Sequence, residues 1–238
     1  MTPEPTTDVL THGSDQPRRL SRRGLAAVVL VGLAAAGGLI AGRLRPMPAP
    51  EFRLVDLQGV YAGMVRSDGQ NDAAVIDPRR VVAEAETVVP GACEPLFEAT
   101  VLNRPPPTAL DGVGTFWALG PTGVSLFSYR FADVAGAGRE FAGLAAAFDG
   151  CRGARVAVTG RLAAAGKLVG VRRDRVQLAY VLESGDGTKL AVHVLALSNT
   201  VSWQYRYEPV AGPYDSRTAQ NVMDSLADQM RAVQDLRR

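Results

Sequence analysis

The chain has 238 residues, with 26 basic against 24 acidic side chains, a formal charge of +2, two cysteines and two histidines. The positive excess sits in Arg18, Arg19, Arg22, Arg23, Arg43 and Arg45, all before residue 50. The chain beyond residue 50 is near neutral, which excludes the basic surface that a nucleic-acid binder needs, and its roughly 190 residues suffice for one domain with a buried core.

Residues 1–17 are polar, interrupted by proline and free of apolar periodicity, so residues 1–23 read as a disordered cytoplasmic tail. Gly24 to Gly42 carries no charge. As a helix this run of residues 24–42 would be ~28 Å long at ~1.5 Å per residue, close to the ~30 Å of a hydrocarbon core, so it is expected to cross the membrane once. Four arginines precede the run and two follow it, which keeps the N-terminus in the cytoplasm and places everything after residue 45 outside. Ser21-Arg22-Arg23-Gly24-Leu25 resembles a twin-arginine export signal, and a removed signal is the alternative to a retained anchor; both leave the remainder outside the cytoplasm. Gly38 and Gly42 form a GxxxG pair, the spacing that lets two helices approach and form a homodimer, although an alanine- and glycine-rich composition also produces it by chance. Residues 43–50, with three prolines in Arg45 to Pro50, form a stiff linker to the domain, 51–238.

Within that domain, Leu54, Leu57, Val60, Tyr61, Met64 and Val65 recur at helical spacing, which predicts an amphipathic helix over residues 52–65, weakened by Gly59 and Gly63. Ser67 to Asp72 reads as a turn. Asp68, Gln70 and Asp72 alternate as in a calcium loop, but the glycine and the closing glutamate of such a loop are missing. Pro90 to Phe97 predicts a short helical turn bearing Cys93, and Asn103 to Thr108, with three consecutive prolines, an extended surface loop.

Residues 115–119 and 124–131 are expected to pair as strands across Gly120, Pro121 and Gly123, with neither face of the second clearly polar. Asp133 is suited to cap a helix over residues 133–148 that presents Val134, Ala137, Phe141, Leu144, Ala145 and Phe148 on one side and ends at Gly150. Residues 155–159 alternate as a short strand. Residues 175–183 and 189–197, joined by Ser184-Gly185-Asp186-Gly187, carry the clearest hairpin pattern in the chain. Residues 201–207 continue as a strand whose Trp203, Tyr205 and Tyr207 share one face, either as sheet core or as the wall of a ligand site. From Asp215 a final helix sets Ala219, Val222, Met223, Leu226, Ala227, Met230 and Val233 on one side and polar residues on the other, so it should lie on a sheet.

Cys93 and Cys151 both fall in the outer part, where oxidising conditions favour a disulfide, and they can pair in only one way. Two free thiols are the alternative. A zinc site lacks support, since there is no CxxC and neither His12 nor His193 stands near a cysteine.

Motifs for catalysis fail on inspection. Gly160 to Leu168 has five residues between its glycines, where a phosphate loop has four, and Leu168 where a hydroxyl is needed. Gly136-Ala137-Gly138 lacks the third glycine of a dinucleotide fingerprint, and no GxSxG, SxxK or HExxH occurs. His193, between Val192 and Val194, fits a sheet residue better than a general base. No cofactor, catalytic residue or metal site is expected.

Val89-Pro90-Gly91-Ala92-Cys93, the segment from Ala135 to Cys151, Leu197-Ser198-Asn199-Thr200-Val201 and the closing helix from Ala219 to Val233 together resemble the PknH-like extracellular sensor domain of actinobacteria, over roughly residues 51 to 235. The resemblance implies an α+β fold, an antiparallel sheet with flanking helices and a cleft for an unidentified ligand. Phe148 stands where the family often has tryptophan, and the family's second cysteine pair has no counterpart near Leu190 and Tyr205. The resulting expectation is a non-catalytic, membrane-anchored sensor-like domain of the cell envelope that binds a small molecule, a lipid or an envelope protein. An envelope hydrolase with an unrecognised site, or a structural subunit of a membrane complex, are the alternatives.

Overall fold

Among the described residues of a computed structural model, alternating β-branched and aromatic residues extend the chain into nine strands joined in one antiparallel sheet. The structure describes residues 50–64, 73–83, 86–119, 122–159, 164–208 and 216–238, and of residues 117–119, 122 and 208 the backbone alone. All belong to a unit spanning Ala49–Arg238. The strands are β1 (Ala74–Ile76), β2 (Thr87–Val89), β3 (Asp111–Leu119), β4 (Thr122–Arg130), β5 (Arg155–Thr159), β6 (Ala164–Arg173), β7 (Gln177–Ser184), β8 (Lys189–Leu197) and β9 (Thr200–Glu208), in the spatial order β1-β3-β4-β9-β8-β7-β6-β5-β2. Three helices, α1 (Leu54–Gly63), α2 (Val134–Cys151) and α3 (Ser216–Asp235), and a 3-10 segment (Gly91–Leu96) cover the sheet. The fold is α+β, a single antiparallel sheet with flanking helices.

Helices lie on both faces, which explains why the β4 sequence shows no polar side. Phe127 and Tyr129 of β4 join Leu178, Tyr180 and Leu182 of β7, Leu190, Val192 and Val194 of β8 and Trp203 and Tyr205 of β9 in a core beneath α2 and the 3-10 segment. The alternate residues Val124 and Leu126, with Val113 and Leu195, meet Phe52, Leu57, Val60 and Tyr61 of the α1 region and Met223, Leu226, Ala227 and Met230 of α3. Each large side chain so buried is worth about 1.5–3 kcal/mol of apolar transfer. The second face also holds a hydroxyl chain: Tyr61 meets Ser128 at 2.9 Å, and Ser128 meets Ser202 at 2.6 Å.

Caps and ties set the helices. The Asp133 carboxylate accepts the Gly136 amide at 2.6 Å and starts α2. This helix does not stop at Gly150. It runs one residue on through Cys151, and Gly153, at φ +82°, takes the left-handed position past the end, because only there does the chain reverse into β5. Helix α1 opens with Arg53, whose amide donates to Asp56 at 2.7 Å. Burial would raise the Asp56 carboxyl, yet hydrogen bonds from Arg53 and the Arg237 guanidinium at 2.6 Å hold it below its ordinary value. Asn199, in the β8–β9 turn, accepts the Phe52 amide at 2.7 Å and donates to the carbonyls of Phe52 and Phe131.

Several strands differ from the sequence expectation: β1 and β2 lie where none is expected, β4, β7 and β9 shift by one or two residues at their ends, and β3 and β6 differ most. Strand β3 begins four residues early, at Asp111, where Asp111 and Arg130 form an ion pair at 2.5 Å. Strand β6 occupies residues where the sequence pattern predicts no element; its glycines are there for close approach, since a Cβ on Gly166 would stand 1.9 Å from the Glu183 carbonyl oxygen and one on Gly170 would stand 2.8 Å from the Phe148 ring. The expected turn at 67–72 and the span over 24–42, with Gly38 and Gly42, lie outside the described residues. Among the described residues no helix is long and apolar enough to cross a membrane.

Candidate functional site

Cys93, the third residue of the 3-10 segment, and Cys151, the last of α2, are joined by a disulfide with Cα atoms 5.7 Å apart. The bridge holds the 3-10 segment against the C-terminal end of α2. Tyr180 donates to the Leu96 carbonyl, and the Phe97 ring meets Tyr180 edge-on at 6.1 Å. Directly after the segment the chain coils tightly: the Leu102 amide and the Thr100 hydroxyl both donate to the Phe97 carbonyl, and the Arg104 amide to the Glu98 carbonyl. Asn103 sits in the left-handed region at φ +49°, which asparagine tolerates, and its amide donates to the Val82 carbonyl at 3.1 Å.

Between this coil and the sheet lies an open cleft of about 470 Å³. Ser125, Phe127 and Tyr129 of β4 and Tyr205 of β9 line its sheet side; Ala99, Thr100, Asn103, Ile76, Val81 and Val82 complete the lining, with Asn103 bonded to Val82. The aromatic floor is stiff. Phe127 stacks on Trp203 with centroids 5.9 Å apart and planes at 15°, and Tyr129 meets both edge-on at 5.8 Å. None of the described lining side chains is an acid, a base or a thiol. Burial pushes the Tyr129 phenol up to about 12, so it stays a neutral hydroxyl at physiological pH.

Of the aromatic row on β9, only Tyr205 lines the cleft. Trp203, the cross-strand neighbour of Phe127, is buried beside it, and half-buried Tyr207 packs against the same core farther along the strand. Sequence reading missed Phe127, Tyr129, Ser125 and Asn103. The alternation in β4 could have found the first three had their face been assignable, but nothing in the sequence brings Asn103 to them. A smaller cavity of about 170 Å³ lies where β6 bulges, beside Phe148, Arg152 and Arg173, and there Arg173 pairs with Asp149 at 2.6 Å.

Titratable groups that could do chemistry stand elsewhere. His193 points to the opposite face, beside Ala179 and Gln204 of the neighbouring strands; burial and the nearby Arg172 and Arg206 press it down to about 4, so it is neutral. Burial and the Glu98 carboxylate raise Glu140, but neither glutamate lines the cleft. Among the described residues no three metal-binding side chains converge.

The extracellular domain of PknH from Mycobacterium tuberculosis matches this architecture with a TM-score of 0.54 at 12% identity, over 76% of this chain and 93% of that one. The chain has the PknH extracellular-domain fold. At this identity the likeness to PknH is one of fold. A putative uncharacterized protein from Mycobacterium smegmatis, described as an Rv0999 ortholog, is similar with a TM-score of 0.43 at 12% identity, over 77% of this chain and 99% of that one. No protein-family model and no curated protein matches the sequence.

Proposed function

We propose that the chain is an extracytoplasmic, sensor-like binding domain, tethered by one crossing at residues 24–42, whose ligand occupies the cleft over Phe127, Tyr129 and Tyr205. The cleft carries this reading. Its aromatic floor is fixed by Trp203 on the neighbouring strand, and its polar part is held by a cystine-braced coil, so a ligand meets a preformed surface and little has to be ordered on binding. Binding is favoured over catalysis because the described lining residues offer neutral hydroxyl and amide groups and, among them, none of the carboxylate, imidazole or thiol side chains that move protons or attack. The extracytoplasmic placement is supported by the fold shared with the PknH extracellular domain, by the disulfide and by the apolar run at 24–42 flanked by arginines.

Thermal melting against fractionated envelope extracts tests the reading, since a ligand that binds only the folded state raises the melting temperature. Ser125→Trp fills the floor of the cleft from a half-buried strand position. A fraction that stabilises the wild type and not the variant supports the site; fractions that stabilise both equally place binding elsewhere and sink it.

A further inference from the structure

We infer that the ligand of this cleft is an uncharged saccharide, a mono- or disaccharide unit lying flat on Phe127 with its hydroxyls toward Ser125, Thr100 and Asn103. This rests on the cleft-binding reading above. A volume of about 470 Å³ is of small-molecule size.

Charge is the first discriminator. Among the described lining residues there is no arginine, lysine or histidine, so a phosphate or carboxylate held by them would lose its water shell and gain no counter-charge. Nor is there an aspartate or glutamate among them to receive a cation.

Polarity separates the neutral candidates. An alkyl chain would cover the Ser125 hydroxyl, the Tyr129 hydroxyl and the Asn103 amide oxygen without giving them a partner. One N–H of Asn103 is engaged with the Val82 carbonyl and the Thr100 proton with the Phe97 carbonyl, so both residues present oxygen acceptors, with a second Asn103 N–H beside them. Sugar hydroxyls are donors that fit such acceptors. The axial C–H groups of a pyranose are polarised positive and suit the negative face of an aromatic ring, and Phe127 is half-buried, fixed on one side by Trp203. An open cleft with aromatic floor and neutral polar rim therefore matches a sugar on both of its surfaces.

Calorimetric titration of the full chain in phosphatidylcholine nanodiscs tests the inference, with maltotriose, cellotriose and mannotriose as neutral probes, trigalacturonate as the acidic probe and decanol as the alkyl probe. At least one neutral trisaccharide is expected to bind. Phe127→Ala should weaken it about five- to tenfold and Ser125→Ala about three- to tenfold, the second variant carrying the test where the first loosens the fold. Binding of trigalacturonate or decanol alone, lost in Phe127→Ala, overturns the saccharide while leaving the cleft as the binding site. A neutral sugar bound equally by wild type and both variants overturns it too, as does silence from all three neutral probes.

Discussion

Gly166 and Gly59 are the same residue with opposite reasons for being there. A Cβ on Gly166 would sit 1.9 Å from the backbone oxygen of Glu183 in the paired strand, and a backbone cannot step aside without breaking the register of β6 on β7. Gly166→Ala should cost more than about 3 kcal/mol in urea denaturation, or abolish a cooperative transition. Nothing lies within 4 Å of a Cβ on Gly59, in the middle of α1, so Gly59→Ala should add roughly 0.5–1 kcal/mol. Equal effects of the two substitutions would refute the close-approach account. His193 gives the pH dependence at the same scale. Its folded value of about 4 lies below the 6.5 of the free side chain, so the unfolded chain takes up a proton first as pH falls. Stability is full above about pH 6.5 and drops toward pH 4, by up to ~3 kcal/mol from this residue. In His193→Gln the drop across that window should shrink, as read from denaturation midpoints at pH 7 and pH 4.5.

Elements are held by two long-range ties. The Cys93–Cys151 bridge closes a loop of 58 residues and should contribute about 4 kcal/mol by constraining the unfolded chain. Cys93→Ser is therefore expected to lower stability by that order. Because the bridge also braces the coil at Ala99–Asn103, the variant should lose affinity for any cleft ligand at temperatures where it remains folded; unchanged affinity would show that the coil stands without it. Asn199 links the start of the domain to the end of β4 through three buried hydrogen bonds. Asn199→Ala leaves the Phe52 amide and two carbonyls without that partner, at a cost of about 2–3 kcal/mol by equilibrium unfolding. Hydrogen exchange should then quicken first in α1, which that tie positions.

For the molecule as a whole, the proposed topology has the C-terminal helix outside the cell. Leu236 is 88% exposed, so Leu236→Cys offers a thiol that should react with a membrane-impermeant maleimide in intact cells. Protection until the cells are opened would reverse the orientation and remove the ground for extracytoplasmic sensing. The pattern of helices on both faces also bears on what could be read beforehand. The hairpin of β7 and β8 was legible because Gly185-Asp186-Gly187 separates two alternating runs, and α2 because Asp133 precedes an apolar face; both signals are local. Strand β6 was illegible, because Gly166 and Gly170 look like loop residues until β7 and Phe148 are brought against them.

The order of residues alone was enough to mark the apolar run at 24–42, the single pairing open to two cysteines, the Asp133 cap of α2 and most strands, because each depends on neighbours within a few positions or on there being no other choice. Tertiary structure decided the rest: that both faces of the sheet are covered, that His193 and Tyr205 face opposite ways, and that Asn103, Phe127 and Tyr205 share one cleft. Those side chains come from segments far apart in the chain, and what sets their distance is strand order and register, which a one-dimensional pattern does not contain.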